Sequence, residues 1–226
     1  MSITRVLLTN LGAMLLGALA LVPGIISMHR RLVYWRSAAL TDPLTELANR
    51  RAILRYLRRH APDGRTSVIM LDVDGLKKVN TEYGHGAGDD LLRALAQRIS
   101  ELGALPVPLV GRLGGDEFVL IVDADTADDV RTVAEAVHAK VTGTRVSLGY
   151  GRWTDLRASL GVAVGVTGVQ PRLLLHQADA AMYRSKAAGG GVHVHDRAAA
   201  LAVPNRPRVR QRDRHTPVSE PNGVAR

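Results

Sequence analysis

Two acids in a tight turn carry the first chemical signal in this chain. Asp116 and Glu117 follow Gly114 and Gly115, between the apolar runs Val107 to Leu113 and Phe118 to Asp123. Apolar runs on either side of a glycine pair predict a β-hairpin with both acids at its tip. The glycines let a ligand or phosphate approach the backbone closely. A second pair of carboxylates, Asp72 and Asp74, closes the run Ser67 to Asp74, whose composition predicts a buried strand. The period of two places both acids on one side of it. A carboxylate at the end of a core strand is costly unless it is paired or binds a cation. Hard divalent ions such as Mg²⁺ accept one or two carboxylates and complete their shell with phosphate oxygens and water. The bland alternatives are a solvated hairpin tip and a turn-capping acid, and capping is the main role expected of Asp74.

The next stretch adds groups suited to a nucleotide. Lys77, one turn beyond the acidic strand end, is a compact cation suited to a phosphate. Asn80 and Asp89 face each other across a glycine-rich stretch, read as a loop, holding Gly84, Gly86 and Gly88. A carboxylate that accepts two N–H groups beside an amide that meets a carbonyl matches the hydrogen-bonding edge of guanine. Asp89 also reads as an N-cap for a helix from Asp90 to Leu102, and His85 reads as a plain loop residue.

These groups need a frame. Asp42 as N-cap and Pro43 at the first helical position predict a helix running through Leu47, Ile53, Leu54 and Leu57. Its Arg50, Arg51, Arg55, Arg58 and Arg59 form a mostly solvated face, and the Ala61-Pro62-Asp63-Gly64 breaker ends it. Thr126 to Lys140 predicts an amphipathic helix with Val130, Val133, Ala134 and Val137 inward. Ala158 to Val166 predicts a central strand, Gln170 to Ala188 a helix and Gly191 to His195 an edge strand. The segment Thr142 to Leu156 reads as a strand-loop excursion.

Composition sets the outer limits. The chain has 226 residues, 46% hydrophobic but only 4% aromatic, so its core is built from aliphatic side chains. It has no cysteine, which excludes disulfides and thiolate metal sites. The formal charge of +9 is compatible with nucleic acid, anionic lipid or phosphate ligands without choosing among them. From Val6 to Met28 no residue is charged, a length sufficient to span a hydrocarbon core of about 30 Å. Arginines follow it, so the bulk of the chain is expected in the cytoplasm, with one single-pass helix over about residues 6–28 in the inner membrane. The competing reading is a signal peptide cleaved near Ala18-Leu19-Ala20. Residues 29–40 read as a basic connector helix, and residues 197–226 as a disordered basic tail. Specific nucleic-acid binding lacks a recognition motif.

The ordered blocks Asp72-Val-Asp-x-x-Lys77-x-x-Asn80, Tyr83-Gly-His85-x-x-Gly-Asp89 and Gly114-Gly-Asp-Glu-Phe118 resemble the diguanylate cyclase family, whose signature is the GGDEF motif. Asp42-Pro-Leu-Thr45-x-Leu-x-Asn49-Arg50 and Ala178-Asp179-x-Ala-Met-Tyr183-x-x-Lys186 resemble that family's opening and closing motifs. The resemblance implies an α+β (α/β) GGDEF domain over residues 41–196, with a mixed central β-sheet flanked by helices, as in nucleotidyl cyclases and polymerase palms. It implies condensation of two GTP into cyclic di-GMP across a homodimer, with Mg²⁺ (or Mn²⁺) as cofactor. On that resemblance Asp72, the Val73 carbonyl and Asp116 are the metal ligands. Asp116 and Glu117 are the acids that can assist deprotonation. Lys77 and Lys186 contact phosphate, Gly114 and Gly115 line the substrate, and Asn80 and Asp89 read guanine. The alternative is a catalytically silent GGDEF domain that binds GTP or cyclic di-GMP and regulates a partner. Four positions depart from the pattern: Leu76, Thr81, Glu46 where glycine is usual, and Gly190 where a basic residue is common. An Arg-x-x-Asp product-inhibition motif is expected before the hairpin, and here that stretch is Leu105-Pro106-Val107-Pro108.

Overall fold

Strand Thr66–Val73 (β2) is buried along its whole length, and that burial organises the molecule. Successive side chains leave a strand on opposite faces, so Ile69, Leu71 and Val73 join one core while Val68 and Met70 join another. A strand lined on both faces must be central. β2 pairs antiparallel with Glu117–Asp123 (β4) on one side and with Ala158–Ala163 (β7) on the other. The six-stranded mixed sheet is completed by Ala48–Asn49 (β1), Leu109–Gly114 (β3) and Gly191–Val194 (β8), in the order β1-β3-β4-β2-β7-β8. This computed structural model describes residues 21–28, 39–124 and 126–196, and the body of the domain closes at His195.

Helices cover both faces of the sheet. Arg50–His60 (α1) and Pro171–Ala187 (α5) bring Ile53, Leu57, Leu174, Ala178 and Met182 against Val68, Met70 and Ile121. The opposite face carries Leu76–Tyr83 (α2), His85–Ser100 (α3) and Ala127–Thr142 (α4), whose Leu76, Leu95, Ile99 and Val137 meet Ile69, Leu71 and Leu120. A small separate sheet pairs Arg145–Ser147 (β5) with Trp153–Asp155 (β6), which gives the expected excursion its form. The mixed sheet flanked by helices, the α4 helix, the β7 strand, the α5 helix and the β8 edge follow the expectation from sequence.

Two elements differ from it. The first helix starts at Arg50 and not at Asp42, because Asn49 is its N-cap, accepting from the N–H groups of Arg51 and Ala52. Asp42 instead holds a closed turn. Its Oδ1 accepts from Thr45 N at 2.9 Å and Thr45 Oγ1 at 2.7 Å, and Thr41 bridges Ala48. The glycine-rich stretch is also not a loop. It is the start of α3, separated from α2 by Gly84 alone, at φ 85° and ψ 165°. Asp89 is therefore inside a helix and not its cap. Residues 21–28 are helical and exposed. The remainder of the expected membrane span, residues 29–38 of the expected 29–40 connector helix and the tail from residue 197 lie outside the described residues, and residues 39–40 form a turn. Among the described residues no helix is long and apolar enough to cross a membrane.

The Asp42 turn explains one departure. Glu46 sits at φ 60° on an exposed position, the left-handed region that glycine enters without steric penalty. Glu46→Gly is expected to raise unfolding free energy by about 1 kcal/mol, the relieved strain less the added freedom of the unfolded chain. Denaturant titration of the two chains checks it, and an equal or lower midpoint in the variant would remove the strain argument.

Candidate functional site

Sheet register brings the acids together. In the β2–β4 ladder Asp72 lies opposite Glu117, and beyond it the Val73 N–H donates to the Asp116 carbonyl at 3.2 Å. The end of the central strand and the tip of the hairpin are thus tied by backbone bonds. At the tip the register shifts between Arg112 and Gly114. Gly114 and Gly115 take φ values of 142° and 60°, which is why glycine is needed there. A Cβ at either would meet nothing within 4 Å, so space is open on that side for a ligand.

Arg112 fixes the tip from below. Its Nε and Nη2 donate to the Gly115 carbonyl at 3.1 and 2.7 Å, and its Nη1 donates to Asp42 Oδ1 at 3.0 Å. Burial pushes the Asp42 carboxyl up, but the Thr45 hydrogen bonds and the Arg112 guanidinium outweigh it and hold the group below its ordinary range. One guanidinium therefore joins the N-terminal turn to the glycine tip. No sequence pattern marked it.

Charge at the site is unbalanced toward negative. Asp72 is 6% exposed, and burial lifts its carboxyl to about 6. The Lys186 hydrogen bond opposes that rise, and the negative charges of Asp116 and Asp74 add to it. Lys186, on α5, donates through Nζ to Asp72 Oδ1 at 2.5 Å. Lys186, expected at a phosphate, thus stands against a carboxylate in this structure. Burial works against its charge, but Asp72 and the neighbouring acids hold its proton affinity above the ordinary lysine value. Glu117 is likewise raised, first by burial, then by Asp179 and Asp116, with Arg50 and Lys186 countering. Asp74 does not cap α2, whose N-cap is Gly75 without a side-chain bond. It accepts from Ser159 Oγ at 3.0 Å on each oxygen.

The sequence assigns no site role to Asp179 or Ser159, and it reads Arg50 only as part of a solvated face. Asp179 stands in a recognised stretch, but only the packing of α5 across β7 and β2 puts its charge near Glu117. Among the described residues no three His, Cys, Asp or Glu side chains converge as a self-sufficient metal cage. The Asp116 charge acts on the Asp72 carboxyl, and these two carboxylates with the Val73 carbonyl are the oxygen donors expected of the family. Such a set suits a hard cation that keeps water and phosphate in its shell.

The two residues expected to read the base sit on the two helices that follow. Asn80 lies in the second turn of α2, with Lys77 exposed one turn before it, and Asp89 lies in the second turn of α3. Asn80 Oδ1 is enclosed and, among the described residues, has no hydrogen-bond partner. On the side of α2 that carries Lys78, Glu82 and Tyr83, a cavity of about 490 Å³ runs between Asp74, Tyr83, Trp153 and Arg157. It takes in Asp74 but not Lys77, Asn80 or Asp89.

Comparison with known proteins gives a consistent picture. The family model described as "Diguanylate cyclase, GGDEF domain" matches residues 39–191. A Streptomyces griseus protein named only for its position in the hutH 5′ region is 41% identical over 175 residues, covering 75% of this chain and 71% of its own. Diguanylate cyclase DgcP of Pseudomonas aeruginosa is 31% identical over 168 residues, covering 72% of this chain but only 25% of DgcP. The crystal structure of the coiled coil and GGDEF domain of DgcB from Caulobacter crescentus, in complex with c-di-GMP, superposes with a TM-score of 0.72 at 28% identity. It covers 82% of this chain and 99% of that one.

The buried carboxylate has a measurable cost. Asp72 binds its proton more tightly folded, at about 6, than unfolded, at about 3.9. Its contribution to stability is therefore complete below about pH 4 and lost as pH rises through about 6. In the presence of chelator, Asp72→Asn is expected to be more stable than the parent by about 1–3 kcal/mol at pH 7.5, with the difference shrinking toward pH 4. Urea melts of both chains across that range check it; a variant less stable at pH 7.5 would show that the Lys186 pair outweighs burial.

Proposed function

The chain belongs to the diguanylate cyclase GGDEF-domain family, and from that premise we propose that it condenses two molecules of GTP into cyclic di-GMP across a homodimer. The observation that carries this reading is the register that sets Asp72 beside the Asp116–Glu117 tip with Lys186 above it. In each half-reaction the 3′-oxygen of one GTP forms a bond to the α-phosphorus of the other. The bond from that phosphorus to the β-phosphate bridge breaks, and pyrophosphate leaves. The hydroxyl proton passes to Glu117 or Asp116, and burial with the neighbouring acids Asp179 and Asp116 raises the proton affinity of Glu117, which favours its taking that proton. Two domains must face each other, since each supplies one nucleotide.

Asp72, Asp116 and the Val73 carbonyl are the groups that would hold Mg²⁺ or Mn²⁺, which supplies charge neutralisation at the triphosphate. Lys186 exchanges Asp72 for a phosphate oxygen when substrate arrives, and Lys77 contacts phosphate from α2. The open space over Gly114 and Gly115 admits the nucleotide close to the backbone. Asp89 accepts from the two N–H groups of guanine, while Asn80 meets its carbonyl. We place the domain on the cytoplasmic face of a membrane, anchored through residues 6–28, on the strength of their uncharged sequence and the arginines after it.

A second reading, a silent domain that binds GTP or cyclic di-GMP as a regulator, has one observation in its favour. Gly190, where a basic residue is common in the family, lies at φ 108°, and a Cβ there would stand 3.7 Å from Asp74 Oδ2. The cation that would help hold a triphosphate at that edge is missing.

Incubation of the full chain in detergent micelles with GTP and Mg²⁺, with products resolved by chromatography, separates the two. Cyclic di-GMP is expected from the parent, with an Asp116→Ala, Glu117→Ala double variant reduced by at least about a thousandfold. GTP binding without product, from a chain shown to be dimeric, would favour the silent regulator. Product at equal rates from the double variant would place the chemistry elsewhere.

A further inference from the structure

Gly88 is a buried glycine in the first turns of α3, and nothing in its backbone requires glycine there. Within a helix glycine is about 1 kcal/mol poorer than alanine, so its presence calls for another reason. That reason is space. A Cβ built on Gly88 would fall inside contact distance of Asn80 Oδ1, and would also stand 2.9 Å from Asn80 Cγ and 3.2 Å from Leu76 Cδ1. Leu76 and Asn80 are one helical turn apart on α2, so Gly88 marks where α2 and α3 come together.

The second observation is independent. Asn80 is only partly buried, yet its Oδ1 is enclosed and meets no hydrogen-bond donor among the described residues. A carbonyl oxygen closed off in this way carries a desolvation penalty. The Gly88 Cα–H groups give it only a weak polar contact. Turning the amide over would be worse, because it would set N–H donors against the same C–H surface with no acceptor. The amide therefore rests with its oxygen toward Gly88, which leaves Nδ2 as the amide atom turned away from Gly88.

We infer that Gly88 is a positioning residue: it holds the Asn80 amide so that a donor alone faces the purine, which selects a 6-oxo base over a 6-amino base. The inference rests on the GTP reading of the site. Guanine and hypoxanthine present an acceptor at position 6 to that Nδ2. Adenine presents an amino donor, and donor would meet donor. Asp89, the neighbour of Gly88 on α3, does separate work at the N–H groups on the other side of the base. A larger residue at position 88 would push Asn80 aside without touching the nucleotide.

Equilibrium binding of 3′-deoxyGTP, 3′-deoxyITP and 3′-deoxyATP, which cannot condense, to the full chain with Mg²⁺ tests this. Gly88→Ala is expected to weaken the guanine and hypoxanthine nucleotides by the same factor, about tenfold, and to leave the adenine nucleotide unchanged. In an Asn80→Ala background, Gly88→Ala is expected to add less than about a twofold loss, because the group it acts through is gone. Unchanged affinity for the guanine nucleotide in Gly88→Ala overturns the inference. So does a tenfold further loss in the Asn80→Ala background. A fall in the guanine-to-hypoxanthine ratio also overturns it, since only Asp89 sees the 2-amino group. If Gly88→Ala alone does not fold, adding Asn80→Ala must restore the thermal transition, and failure to do so is equally fatal. A parent chain that binds none of the three nucleotides sinks the GTP reading and this inference with it. A parent that binds while Gly88→Ala binds equally well sinks the inference alone.

Discussion

A carboxylate at the buried end of the central strand is the constraint to which the rest of this domain answers. Asp72 cannot be moved outward without unpairing β2 from β4 or β7, because both ladders run to it. Left alone there it would be costly. Lys186 meets it at 2.5 Å, and for that ammonium to arrive α5 must lie close on the sheet. Gly161 of β7 permits the approach. A Cβ at that position would collide with the backbone nitrogen of Met182 and the carbonyl of Ala178, about one and two turns before the lysine. A small residue in a strand and a charge pair with a buried carboxylate are thus parts of one arrangement.

Arg112 shows the same economy on the other side of the site. The glycine tip cannot hold itself, since Gly114 and Gly115 have no side chains and lie where the ladder register slips. Two of the three Arg112 bonds go to the Gly115 carbonyl and the third goes to Asp42. The Asp42–Arg112 pair is largely sheltered, with side-chain exposures of 17% and 10%, where breaking an ion pair costs more than on an open surface. The position of the tip is consequently set by the turn through which the chain enters the domain. A displacement of residues 42–47 has a short, stiff route to Asp116.

Much of this was legible in the sequence because it depends on local pattern. The apolar run ending at Asp72, the glycine pair and the helices after Thr126 and Gln170 each announce themselves through period and punctuation. Misreadings arose where two signals competed for one stretch. Asp42-Pro43 looks like a helix start, yet Asn49 six residues on captures the first free N–H groups, and Asp42 is left to close a turn. Three glycines between Tyr83 and Asp89 look like a loop, but only Gly84 leaves the helical region, and Gly88 is there for clearance. The charges around Glu117 were not legible at all. Asp179 and Arg50 come from helices distant in sequence, and only the packing of α1 and α5 against the sheet aims them at one carboxyl.

The energetics of the site bear on whether it works as a catalyst. Asp72 and Glu117 are both held against their preference for water, and each is made harder to ionise by the other acids nearby. A fold that needed only its core would be more stable with amides in those places. Lys186 offsets part of the burden, but a single partly exposed ammonium cannot neutralise Asp72, Asp116 and Glu117 together. The residual negative charge has a natural complement in a divalent cation carried in with a polyphosphate. The +9 balance of the chain also favours the approach of that anion. Burial of this kind, retained at the one point where strand end and glycine tip meet, is the signature of a site organised for its ligand and not for the stability of the empty domain.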